Sequence, residues 1–107
     1  MRLLVMPKLQ QGVQVEQLFP HRAAEIQAVW EMYAQGICRE FYGRADAPGT
    51  VLLMLERDTV EAARDALATL PFARLNLIDF DIYPLTPFVG LRELFQAASQ
   101  TASPTSN

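Results

Sequence analysis

Two stretches of the chain are apolar without alternation: Leu3-Leu4-Val5-Met6 near the start and Val51-Leu52-Leu53-Met54-Leu55 in the middle. A strand that is wet on one side alternates polar with apolar, because successive side chains point to opposite faces; an unbroken run predicts a strand covered on both. The spacing therefore predicts two central strands, Arg2–Leu9 and Thr50–Glu56. Two further runs keep one polar parity and read as edge strands. In Ile37 to Arg44, Ile37, Arg39 and Phe41 alternate with Cys38, Glu40 and Tyr42; in Asn76 to Tyr83, Ile78, Phe80 and Ile82 alternate with Asp79, Asp81 and Tyr83.

Between the strands the period changes. Phe19, Ala23, Ile26, Trp30 and Tyr33 recur at helical spacing and predict a buried stripe, with Gly36 as the stop. Pro20 fits either the first turn of this helix or a kink after a start near Val15. Asp58 with Glu61 three positions on reads as a capping box for a second helix, whose buried stripe is Val60, Ala63, Leu67 and Leu70 and which Pro71 ends. Asp46-Ala47-Pro48-Gly49 is turn chemistry joining two strands into a hairpin. A short amphipathic piece, Gly90 to Ala98, places Leu91, Leu94 and Phe95 together, and the Ser/Thr-rich residues 99–107 read as a disordered tail after a single domain of residues 1–98.

Strand, helix, strand, strand, helix, strand is the split βαβ order of an α+β, ferredoxin-like domain with a four-stranded antiparallel sheet. In that topology the first and third strands are central, as their patterning requires. Two helices cover one face of such a sheet, yet half of the 107 residues are hydrophobic. The second apolar face needs another layer. Either a second copy supplies it, sheet against sheet in a dimeric α/β barrel, or the Leu91–Phe95 piece folds back over it.

Composition narrows the function. One cysteine, Cys38, and one histidine, His21, leave no disulfide and no metal-ligand cluster. A net charge of −3 with interspersed signs gives no basic stripe for nucleic acid. No apolar run is long enough to span a membrane and the first residues are too short for a secretory segment, so the expected location is cytoplasmic.

Candidate site residues are isolated polar groups. His21 and Glu25 stand at i and i+4, a spacing that allows a hydrogen bond, and read either as a solvated surface pair or as a carboxylate base beside an imidazole. Glu25 falls roughly 120° from the centre of the apolar stripe at 100° per residue. Arg39 is an edge-strand guard or the anion clamp of a cavity. Asp79, Asp81 and Tyr83 are the wet face of the last strand or polar contacts for a ligand. Cys38 lies on a strand with no obvious basic neighbour or helix N-terminus to activate it and reads as a quiet, half-buried thiol.

With these elements placed, Leu53 to Pro71, with its strand, Thr-Val-Glu helix start and Leu-Pro end, resembles muconolactone isomerase and its relatives, and Ile78-Asp79-Phe80-Asp81-Ile82 is similar to the family's last strand. With Gly36 and Arg39, the resemblance covers most of residues 20–85. It implies a ferredoxin-like dimeric barrel and an isomerase of aromatic catabolism that moves a proton along a small unsaturated lactone without cofactor or metal. It further implies Glu25 as base and Arg39 as the donor that stabilises the dienolate oxygen. His21, Tyr42, Asp79, Asp81 and Tyr83 are then the expected substrate contacts. The sequence departs from the family at Glu40-Phe41-Tyr42 and at Leu85-Thr86-Pro87-Phe88, with a short insertion near Ala73-Arg74-Leu75. Other uses of such barrels, a cofactorless monooxygenase or polyketide-processing enzyme and a non-catalytic small-ligand-binding homo-oligomer, remain alternatives.

Overall fold

The structure, a computed structural model, describes residues 1–47 and 49–102, with side chains described as far as residue 96. Four strands form one antiparallel sheet: β1 (Arg2–Leu9), β2 (Cys38–Gly43), β3 (Val51–Glu56) and β4 (Ile78–Leu85). Their spatial order is β2-β3-β1-β4, so the two unbroken apolar runs are the central strands and the two alternating runs the edges. Helices α1 (Arg22–Ala34) and α2 (Val60–Leu67) cover one face, α3 (Pro71–Arg74) is a single turn after α2, and α4 (Gly90–Ala102) follows β4. This is the ferredoxin-like α+β fold.

Cross-strand partners share a face, which sorts the sheet into two sides. Leu3 opposite Leu55 and Val5 opposite Leu53 point to the helices and are fully or almost fully buried. Ile78 and Phe80 join them from β4, and Ala63, Leu67 and Leu70 close the layer from the α2 side. On the other side, Leu4 faces Met54 and Tyr83, with Met6 and Leu52 nearby; these residues are half-buried or exposed, and no described element covers them.

Several local expectations are corrected. Val15–His21 is a 3₁₀ helix with Pro20 inside it, leading directly into α1, so both readings of Pro20 hold part of the answer. The stripe of Phe19, Ile26, Trp30 and Tyr33 faces outward, not into the core: Trp30 is 55% exposed. The face that packs inward instead carries Met32, with Ala28 and Val29 partly buried against the core. Apolar residues on both sides of α1 make the pattern ambiguous, and packing selects the side with smaller and more flexible groups. The cap of α2 is Thr59, whose Oγ1 accepts the Ala62 N–H at 3.0 Å, one position after Asp58. Pro71 does not merely end α2; it opens α3, where a missing N–H costs nothing. α4 runs to Ala102, past the expected end at Ala98, and residues 103–107 of the expected tail lie outside the described residues.

β2 also departs from strict alternation. Cys38 pairs with Leu55 and Glu40 with Met54, so Arg39 is an extra residue in a β-bulge. The bulge puts Cys38 and Phe41 on the helix side and Glu40 and Tyr42 on the open side, replacing the parity expected from the sequence.

Candidate functional site

Position 25 lies on the inward side of α1. At 100° per residue Glu25, Ala28 and Met32 fall within about 60° of one another, on the side away from Ile26 and Trp30. A carboxylate on that side is carried toward α3. There Glu25 Oε1 accepts the backbone N–H of Phe72 at 2.9 Å. Phe72 is in the first turn of α3, where N–H groups have no partner within the helix, so the carboxylate supplies the acceptor from another element. Burial pushes the Glu25 carboxyl above its ordinary value, and the Phe72 hydrogen bond offsets part of that rise. The outcome is a half-buried carboxylate with one oxygen fixed; among the described residues no hydrogen bond engages the other.

Beside this corner is a cavity of about 330 Å³ lined by His21, Pro71, Arg74 and Leu75. His21 reaches it as the last residue of the 3₁₀ helix. Arg74 reaches it from the end of α3. The structure therefore brings His21 and Glu25 to the same corner, although no hydrogen bond joins them among the described residues. Sequence reasoning alone misses Arg74. The available signal is Pro71: a proline after a helix end can start a turn, and that turn carries Arg74.

The other expected contacts lie elsewhere. Arg39 sits exposed in the bulge of β2, following the far end of α1 from Glu25, and makes no ion pair among the described residues. Tyr42 on β2 and Tyr83 on β4 lie on the open sheet face, on opposite edges. Asp81 pairs with Lys8 Nζ at 2.8 Å on that same face, and Asp79 Oδ1 accepts the Phe80 N–H at 2.8 Å. Asp79 also borders a cavity of about 270 Å³ between α2 and β4, with Arg64, Asn76 and Phe80 among its other lining residues. Cys38 is buried; its thiol donates to the Glu40 carbonyl at 3.4 Å and is pushed up by burial, as befits an unreactive position.

The described residues contain no group of three or more His, Cys, Asp or Glu side chains able to hold a metal ion, and no described helix is long and apolar enough to cross a membrane. Sheet order and helix placement define a ferredoxin-like α+β protein with a half-buried carboxylate at one helix corner. Among solved structures it is similar to 5-chloro-2-hydroxyhydroquinone dehydrochlorinase (TftG) from Burkholderia phenoliruptrix AC1100, determined in complex with 2,5-dihydroxybenzoquinone. The two share 13% identity at a TM-score of 0.63 over 80% of this chain and 94% of that one. At that identity the likeness is one of fold. Comparison with protein-family models finds no match, and comparison with curated proteins finds none either.

Proposed function

We propose that the protein is a cofactor-independent enzyme that moves a proton within a small unsaturated lactone or related acid, with Glu25 as the base. The supporting observation is the Glu25 corner: one carboxylate oxygen held by the Phe72 N–H, burial raising the carboxyl's proton affinity, and an adjoining cavity with Arg74 among its lining residues. In the proposed step the free oxygen of Glu25 takes a proton from a carbon activated by a conjugated carbonyl. The electron pair moves onto the carbonyl oxygen as a dienolate, and the same carboxyl returns the proton at a nearby carbon. The net change is an isomerisation. A cation must meet the dienolate oxygen; Arg74, which lines the cavity, is the donor proposed from the structure, and Arg39 is the donor the family resemblance suggests. That a protein of this fold holds a small oxygen-bearing ring supports the substrate class.

We further propose a homodimer through the open sheet face, supported by the uncovered Leu4, Met6, Leu52 and Met54. The Phe72 hydrogen bond favours a second reading too, in which Glu25 is a structural clasp and the cavity binds a ligand without turnover.

Two substitutions separate enzyme from clasp. Glu25→Gln keeps an oxygen for the Phe72 N–H but cannot act as a base; Glu25→Ala removes both. Proton NMR of muconolactone in D₂O, used as the probe, should show enzyme-dependent deuterium incorporation that falls by about 100-fold or more in Glu25→Gln. Loss of exchange in Arg74→Ala but not in Arg39→Ala assigns the donor. Exchange retained in Glu25→Gln, or absent from the unaltered protein across a panel of such lactones, overturns the isomerase reading.

A further inference from the structure

The outward ridge of α1 and the arm α4 are two unpartnered apolar surfaces on one chain. The ridge runs from Phe19 through Ile26, Trp30 and Tyr33 to Phe41 of β2. Trp30 stacks on Tyr33 with ring centroids 5.4 Å apart, and Tyr33 meets the edge of Phe41 at 5.6 Å. These contacts fix the rings as a continuous surface, not as separate mobile groups. On the arm, Leu91, Leu94 and Phe95 form one stripe preceded by Phe88 and Val89; Phe88 is 76% and Phe95 69% exposed. Among the described residues α4 shares no substantial packing with any other element, and the molecule measures 68 × 29 × 21 Å. The arm leaves from β4, at one edge of the sheet, whereas the ridge lies on the side of β2, at the other.

We infer that α4 of one protomer packs on the α1 ridge of a second copy, and that the exchange is reciprocal. Area favours a second copy. With aromatic side chains offering about 150–250 Å² each, ridge and arm each expose on the order of 500 Å² of apolar surface. That is the upper end of what a monomer keeps uncovered. One arm on one ridge buries about 1,000 Å², the lower limit for a stable interface, whereas two reciprocal contacts bury about 2,000 Å² and form a closed pair. Charge agrees: with the helices antiparallel, exposed Arg92 near the start of α4 meets exposed Glu31 near the end of α1. Both stripes repeat at three and four residues, the spacing with which helix ridges enter helix grooves. The exchange does not depend on the chemistry assigned to Glu25.

Trp30 is the chain's single tryptophan and lies in the centre of the ridge, so its emission reports what covers it. The test uses two full-length variants. Leu94→Glu/Phe95→Glu spoils the arm at exposed positions and keeps Trp30. Ile26→Glu/Trp30→Phe spoils the ridge, carries an intact arm and is silent in tryptophan fluorescence. In the unaltered protein Trp30 should emit at short wavelength and resist iodide; in the arm variant it should shift to longer wavelength and become quenchable. Adding excess ridge variant to the arm variant should restore the short-wavelength emission, because a free arm then finds an intact ridge. Trp30 shielded in the arm variant alone would mean another occupant, α1 against α1 or the sheet face, and overturns the inference. So does an arm variant whose emission is unmoved by the added arm donor, or an unaltered protein in which Trp30 is exposed at every concentration.

Discussion

Glu25 is half-buried because α1 presents its bulkier apolar stripe to the outside and a stripe containing one carboxylate to the core. Raised by burial, the Glu25 carboxyl binds a proton more tightly in the folded chain than in the unfolded one. Between the ordinary carboxylate value and the raised native value the folded state holds more protons, so stability declines as pH rises through that window. Glu56 acts in the opposite sense. The Met1 ammonium and Arg2 hold its carboxyl below the ordinary value, so that contribution is present above the ordinary value and lost as pH falls through the lowered one. The Glu56 group is exposed and its effect is small and screened by salt. Urea denaturation of the unaltered protein and of Glu25→Gln across the acid range isolates the Glu25 part. The decline toward neutral pH should be shallower in the variant, and an unchanged slope would mean that burial does not raise this carboxyl. The spacing of His21 and Glu25 shows that they are near each other, but not that Glu25 turns to the Phe72 N–H with no hydrogen bond to His21 among the described residues. Arg74 is not legible, because a proline that ends one helix and starts another looks the same in a sequence.

Among the elements, strands are the most legible. A strand's two-residue period assigns a side without knowledge of the neighbours except where a bulge resets it, as at Arg39 in β2, and the two apolar runs locate β1 and β3 at the centre of the sheet. Helix α1 defeats the same reasoning for a physical reason. A helix with apolar groups on both sides can bury either, and the sheet accepts Met32, Ala28 and Val29 over Ile26 and Trp30. Helix α2 offers a sharper test of local assignment. Thr59 caps it through one hydrogen bond to the Ala62 N–H, whereas Asp58 stands one residue outside. Thr59→Ala should cost about 1 kcal/mol of unfolding free energy, and Asp58→Ala much less, in chemical denaturation. Equal losses would return the cap to Asp58.

For the whole molecule, the number of apolar residues exceeds what one face of a sheet and two helices can enclose. The surplus occupies three places: the open sheet face, the outer ridge of α1 and the arm α4. The open face is foreseeable from the unbroken strands. Nothing in the sequence separates the ridge from a core stripe. Placing a charge in the middle of the open face tests the proposed sheet-to-sheet dimer apart from the arm. With the arm already spoiled by Leu94→Glu/Phe95→Glu, adding Met54→Glu should lower the mass seen by sedimentation velocity at micromolar concentration while leaving the emission of Trp30 unchanged. A mass unaffected by Met54→Glu would remove the sheet face from the assembly.

The bulge at Arg39 has a consequence for how β2 tolerates a change in length. Phe41 joins the aromatic ridge and Tyr42 the opposite side of the sheet, so adjacent positions serve surfaces that face away from each other. Arg39 has no partner across the ladder, and deleting it would leave Cys38, Glu40 and Phe41 alternating as an ordinary strand, each on the side it already occupies. The same loss two codons later, at Phe41, would bring Tyr42 into register with Leu53 and hand a phenol to the ridge. One strand therefore holds a codon that can be dropped with both surfaces intact, close beside one whose loss rewrites them.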